Sequence, residues 1–228
     1  MLTVGAAYLL VLVHPQPLFA YELQHAGITV HATRPIPDAM RTTLDRVRGR
    51  LDRTPLAEST RGTDVFICDA RWLFALFART NYRAGGVADV FVGGHVFLRE
   101  SDMEHDRLIG PSGQPVSADR PLSYFIAHEI MHIAHGRRLG RLGYARLPRW
   151  VDEGHADYVA RDVDLNQALR AFKAGARELD PLRSGLYIRF HLMVAYVLEK
   201  EGVALAALLA HPEERAAVEG RLAARPEW

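Results

Sequence analysis

Residues 127–136 read Ala-His-Glu-Ile-Met-His-Ile-Ala-His-Gly, and no other stretch limits so strongly what the chain can become. Leu122, Ile126, Ile130 and Ile133 recur at the spacing of one buried helical stripe. Phe125, His128, His132 and His135 form a second stripe on a different face. Four residues advance a helix by about 400°, so His128 and His132 point the same way, one turn apart, and can grip one ion. Glu129 follows the first imidazole and is positioned to take a proton from a water that such an ion acidifies. Pro121 suits the first helical turn. Random placement of these residue types gives on the order of 0.03 such motifs in a chain like this, so a third ligand has to decide the matter.

Charge narrows the partners. Lys+Arg number 28 against 27 Asp+Glu, a net charge of +1, which gives no electrostatic reason to expect nucleic acid or another polyanion. The densest basic stretch, Arg41 to Arg53, is interrupted by Asp45 and Asp52 and reads as a solvated helix face. The single cysteine, Cys68, lies in the apolar run Val65-Phe66-Ile67-Cys68 and reads as a small core residue. Nothing in the composition suggests disorder.

Leu2 to Val13 is almost wholly apolar. The run is short for a membrane span, matches a signal-peptide hydrophobic region in length, and has no Lys or Arg before it. Two readings stand nearly level: an envelope-directed or membrane-anchoring segment at 1–21, which places the protein in the cell envelope rather than the cytoplasm, and a buried N-terminal element. Membrane association would then run through residues 2–21.

Beyond Tyr21, Ile28 to Thr33 alternates as a strand, and Met40, Leu44, Val47 and Leu51 recur as a helix. Thr63 to Asp69 reads as a buried strand and Arg71 to Arg79 as a short helix. Two Gly-Gly pairs flank Val87 to Val92, so Gly85 to Glu100 reads as a hairpin or irregular edge strand. Ser101 to Arg120 reads as loop. The rest is helical, near 121–138, 149–161, 164–178 and 184–201, with a short helix or two at the end. This is an α+β organisation: an apolar segment 1–21, then one domain, 22–228, with a sheet-rich half at 22–120 and a helical half at 121–228.

Residues 148–158 read Pro-Arg-Trp-Val-Asp-Glu-Gly-His-Ala-Asp-Tyr. This block resembles the glutamate helix of the gluzincin metallopeptidases, in particular short bacterial peptidase MA-like proteins with the pattern P-x-W-x-x-E-G-x-A-x-Y. Pro148, Trp150, Glu153, Gly154, Ala156 and Tyr158 match. The resemblance covers residues 121–202 well and the first 120 only loosely. A metzincin is excluded, because it needs Gly and His where this chain has His135 and Arg138.

The resemblance implies a zincin-like α+β domain and a Zn²⁺ ion held by His128, His132 and Glu153. Asp157 would orient a ligand imidazole by hydrogen bonding its outer nitrogen. Two imidazoles and a carboxylate leave a fourth position for water, which marks a hydrolytic site. Glu129 would act as general base and then pass the proton to the leaving amine. The helix from Tyr187 to Gly202 offers Tyr187, then His191, as the donor that completes oxyanion stabilisation. In gluzincins an edge strand beside the active helix pairs with extended substrate, and Val90 to Leu98 is the segment that fits. His155 points about 200° away from Glu153 and reads as packing, His135 as a non-ligand on the ligand face. His31, His95 and His105 have no partner spacing.

The expected activity is therefore zinc-dependent hydrolysis of a peptide or protein substrate, with no nucleic-acid partner. A zinc hydrolase of a small amide would carry the same motif. A catalytically inactive metallopeptidase-like binding or regulatory module is the reading from a different class, and the intact Glu129 and ligand set argue against it. Substrate specificity and oligomeric state are not encoded in these helices.

Overall fold

The computed structural model describes residues 2–179 and 187–228 and has an α+β architecture. The chain divides into two units, Met1–Arg138 and Leu139–Trp228. That division falls inside the helix carrying residues 127–136.

In the first unit, α1 (Leu2–Val13) leads into β1 (Tyr21–His25) and β2 (Ile28–Ala32), an antiparallel hairpin. Ala26 and Gly27, the two residues between the strands, have φ of 52° and 75°. Two positive values in a two-residue loop match the twist of the flanking strands, so β1 forms although no alternation announces it. Helix α2 (Ala39–Leu51) carries the chain to β3 (Thr63–Cys68), and α3 (Arg71–Ala78) carries it on to β4 (Gly86–Asp89) and β5 (His95–Arg99). The sheet order is β1-β2-β3-β5-β4, with β2, β3 and β5 parallel and β4 antiparallel to β5.

The parallel strands are buried on both faces, which is why they read as unbroken apolar runs. Phe66, Ile67, Phe97 and Leu98 are fully buried. On one face Phe97 stacks on Phe77 at 4.0 Å and on Phe66 at 5.2 Å between ring centroids. Cys68 lies at the same face, and burial pushes its thiol well above the ordinary range. Leu12 and Phe19 enter this cluster, Tyr8 donates to the Leu76 carbonyl at 2.8 Å, and the His95 ring meets the Val13 carbonyl at 3.2 Å. The apolar N-terminal segment is thus a 12-residue helix packed by one side. Among the described residues no helix is long and apolar enough to cross a membrane.

The edge of the sheet lies elsewhere than Val90 to Leu98. The edge strand is Gly86–Asp89, residues 90–94 turn, and His95–Arg99 is an interior strand. The glycines and Asp89 locate the turn, where Asp89 accepts from the Gly93 and Gly94 amides. The polar stretch before the long helix contains a two-stranded ribbon, β6 (Ser101–Asp102) with β7 (Arg107–Leu108). Helix α4 (Leu122–Arg146) follows and breaks at Gly140, whose φ of 68° and ψ of 168° are not helical.

The second unit has no strand among its described residues. It contains α5 (Arg149–Ala160), α6 (Leu165–Lys173) and α7 (Ile188–Ala195), which continues as a π-helical turn over Tyr196–Lys200, then α8 (Leu205–Ala210) and α9 (Arg215–Ala224). Helix α6 stops at Lys173, short of the expected 178. Gly175 turns left-handed there (φ 64°), with Gly175 and Ala176 amides donating to the Phe172 and Ala171 carbonyls. Those are the two bonds of a Schellman C-cap, available to a glycine at no steric cost. The expected helix at 184–201 starts at Ile188 among the described residues, and 184–186 lie outside them.

Candidate metal centre

Every residue from Leu122 to His135 is buried, including His128, Glu129 and His132. Burying that many polar groups requires partners and a firm backbone, and the first turn of α4 shows one source of both. Asp106, in the β6–β7 turn, accepts from the Ser123 amide at 2.7 Å and from its hydroxyl at 2.9 Å, and its own carbonyl accepts from the Leu122 amide. Arg46 donates to the same carboxylate at 2.9 Å. Asp106 is itself left-handed (φ 52°) and buried. A carboxylate at this end of the helix satisfies orphan amides and complements the helix dipole. Its distance from Ser123 in sequence hides it from local capping rules.

The position of Glu129 is set by the edge strand. A Cβ on Gly86 would fall 2.8 Å from Glu129 Cγ and 2.5 Å from Leu98 Cδ2, and one on Gly85 would fall 2.6 Å from Phe125 Cε1. Three turns along, a Cβ on Gly136 would meet Val90 Cγ1 at 2.2 Å. Helix α4 therefore runs alongside the segment from Gly85 to Val90, touching it near both ends. The Gly85-Gly86 pair, which reads in sequence as a turn or bulge, is here the condition for close approach.

The imidazoles of His128 and His132 meet edge to face with centroids 5.0 Å apart, Tyr124 lies 5.6 Å from His128, and His135 lies 6.3 Å from His132. Among the described residues there are groups of histidine, glutamate and aspartate side chains that could hold a metal ion. His128 and His132 belong to one, and His132 and His135 to another. The donor set suits a borderline ion such as zinc, which binds imidazole and carboxylate at about 2.0–2.2 Å.

In the second unit, Glu153 is half-buried on α5. Arg149, one turn earlier, approaches it at 3.8 Å and donates to the Tyr187 hydroxyl at 3.3 Å. Burial and the Glu153 carboxylate push the Tyr187 hydroxyl up to about 12, against the pull of Arg149. Tyr187 therefore keeps its proton at neutral pH. Asp157 and His191 are both buried and pair at 3.1 Å between Oδ2 and Nδ1. Sequence reasoning assigned these two separate roles and did not foresee their pairing. Residues of two helices 34 positions apart carry no local signal of it. Gly154 explains the Glu-Gly step of the sequence block: a Cβ there would lie 2.6 Å from the Phe190 carbonyl, so α5 and α7 touch through backbone. His155 is buried and stacks on Tyr158 at 6.4 Å, in keeping with a packing role.

His31 and His95, which have no sequence partner, both face Asp64. His31 Nε2 is 3.2 Å and His95 Nδ1 3.7 Å from its carboxylate. The adjacent strands β2, β3 and β5 bring the three together.

No family model matches the chain, and neither a curated protein nor a solved structure matches it.

Proposed function

We propose that the chain is a zinc-dependent peptidase with a zincin-like fold, resembling the gluzincins, in which His128, His132 and Glu153 hold the ion. The observation that carries the reading is the pair of buried imidazoles one turn apart with a buried glutamate between them in sequence. The downstream block Trp150 to Tyr158 supports Glu153 as the third ligand. Zn²⁺, when bound, supplies Lewis acidity that lowers the pKa of water and polarises a carbonyl.

Glu129, pressed against Gly86, takes the proton of the attacking water on its carboxylate and returns it to the leaving nitrogen. Tyr187, protonated at neutral pH, donates to the developing oxyanion. His191, paired with Asp157, serves instead to hold α7 on α5. The outer edge of β4, Gly86–Asp89, lies beside Glu129 and offers backbone groups to an extended peptide, whose scissile bond is thereby brought to the base.

Metal analysis and a peptide-library cleavage assay test this together. The wild type holds about one zinc per chain and cleaves peptides, Glu129→Gln keeps the zinc and loses about 10²–10⁴-fold in kcat, and Glu153→Gln loses the zinc. Full activity in Glu129→Gln sinks the mechanism, and a wild type that binds zinc without hydrolysing any peptide favours a binding module.

A further inference from the structure

The first unit contains a cavity away from the residues of the proposed hydrolytic site. It has a volume of about 410 Å³ and lies against α3, with three arginines, Arg71, Arg83 and Arg99, and one carboxylate, Glu100, in its walls. Arg99 is 7% exposed and forms no ion pair among the described residues. Its Nη1 reaches only the Ala84 carbonyl, at 3.4 Å, and its guanidinium sits 5.8 Å from the Phe74 ring centroid. Burying a guanidinium without a carboxylate is costly, and a second arginine nearby makes it more so. Burial, and after it the adjacent Arg71, draw the Arg99 charge toward loss, and the Glu100 carboxylate opposes them only in part. An anion in the cavity relieves both, and the planar fork of arginine matches carboxylate and phosphate oxygens.

The mouth is aromatic. Trp72 is 69% and Tyr82 52% exposed, large rings that take little part in the core of this unit. Such rings offer flat apolar surface to a ligand body, and the volume suits a small organic molecule. The cavity is separate from the proposed hydrolytic site. Along β5, Leu98 faces the side where Gly86 meets Glu129, so Arg99, the next residue, faces the opposite side of the sheet.

We infer that this cavity binds a small organic anion, a carboxylate or phosphate head held by Arg99 and Arg71 with a flat apolar body against Trp72 and Tyr82. Isothermal titration of the full chain with phenyl phosphate, benzoate, inorganic phosphate and benzyl alcohol tests it. Phenyl phosphate and benzoate bind, while inorganic phosphate and benzyl alcohol bind about tenfold more weakly or not at all, because each lacks half of the recognition. Arg99→Met loses about tenfold or more, and Arg99→Lys loses less. Should Arg99→Met fail to fold by circular dichroism, the exposed variants Arg71→Gln and Trp72→Ala carry the test, each weakening phenyl phosphate several-fold. Benzyl alcohol or inorganic phosphate binding as tightly as phenyl phosphate overturns the inference. So does phenyl phosphate binding that is unchanged in both exposed variants, which would place the anion elsewhere, the zinc included.

Discussion

The two units are stabilised in contrasting ways. Residues up to Arg138 are built on a sheet whose buried strands and stacked phenylalanines form an apolar core. From Leu139 onward the described structure is helical and has a hydrogen-bonded pair, Asp157 with His191, buried within it. Apolar burial is non-directional and tolerant of detail, whereas a buried polar pair needs both partners in place, since losing one leaves the other unsatisfied. The histidines and Glu129 therefore stand on a scaffold that absorbs local change, and the proposed third ligand stands on one that does not. A mutation in the first unit should damage the chemistry before the fold, and one in the second the fold before the chemistry.

The sharpest way to break that contrast is Gly86→Ala. The added carbon displaces Glu129 while most of the sheet is untouched, so kcat should fall about hundredfold with zinc content and far-ultraviolet circular dichroism unchanged. Loss of folding instead would show that the sheet unit is no more tolerant than the helical one. Next in size, His191→Leu removes one partner of the buried pair in the second unit, and urea unfolding should show a loss of about 2–3 kcal/mol. A loss under about 0.5 kcal/mol would put the pair outside the forces that hold α7.

Asp106→Ala should cost about 1–2 kcal/mol, because it strips the first turn of α4 of its acceptor and leaves Arg46 without its partner. Hydrogen exchange should rise first at Ser123 and its neighbours, and a uniform rise across the sheet would contradict a local role. The smallest effect concerns Asp64. A hydrogen bond from His31, with the positive charges of His31, His95 and Arg137 adding to it, holds its carboxyl below the ordinary 3.8 despite burial. A depressed folded pKa gives stability that is complete above the unfolded value and drains as pH falls through the folded one. Asp64→Asn should therefore be destabilised at neutral pH by no more than about 1 kcal/mol, since the group is partly solvated, with the difference from wild type draining away as pH falls through the depressed folded pKa. A difference that grows on acidification would reverse the sign of the argument.

Much of this was written in the sequence. The stripe of Leu122, Ile126, Ile130 and Ile133 is buried as its spacing requires, and so are Met40, Leu44, Val47 and Leu51 on α2 and the runs at Val65 and Val96. These depend on periodicity and on apolar burial, which are properties of neighbouring residues. The same holds for the one-turn spacing of His128 and His132. Gly175 ended α6 early because one left-handed glycine outweighs the helical preference of the alanines around it.

What only the tertiary structure decided is which distant residues meet. Strand order made Gly86–Asp89 the edge and put His95–Arg99 inside, so the segment that looked like an edge is split between a turn and an interior strand. Asp106 reaches Ser123, Asp64 gathers two histidines, Asp157 finds His191, and Arg99 is enclosed without an ion pair among the described residues. Each of these rests on the cost of burying a polar group, and that cost is set by the atoms around it in space. The sequence determines which helix faces are apolar and which residues can bind an ion. Where a charge ends up buried, and beside what, depends on contacts between residues far apart in the chain, and no local pattern records them.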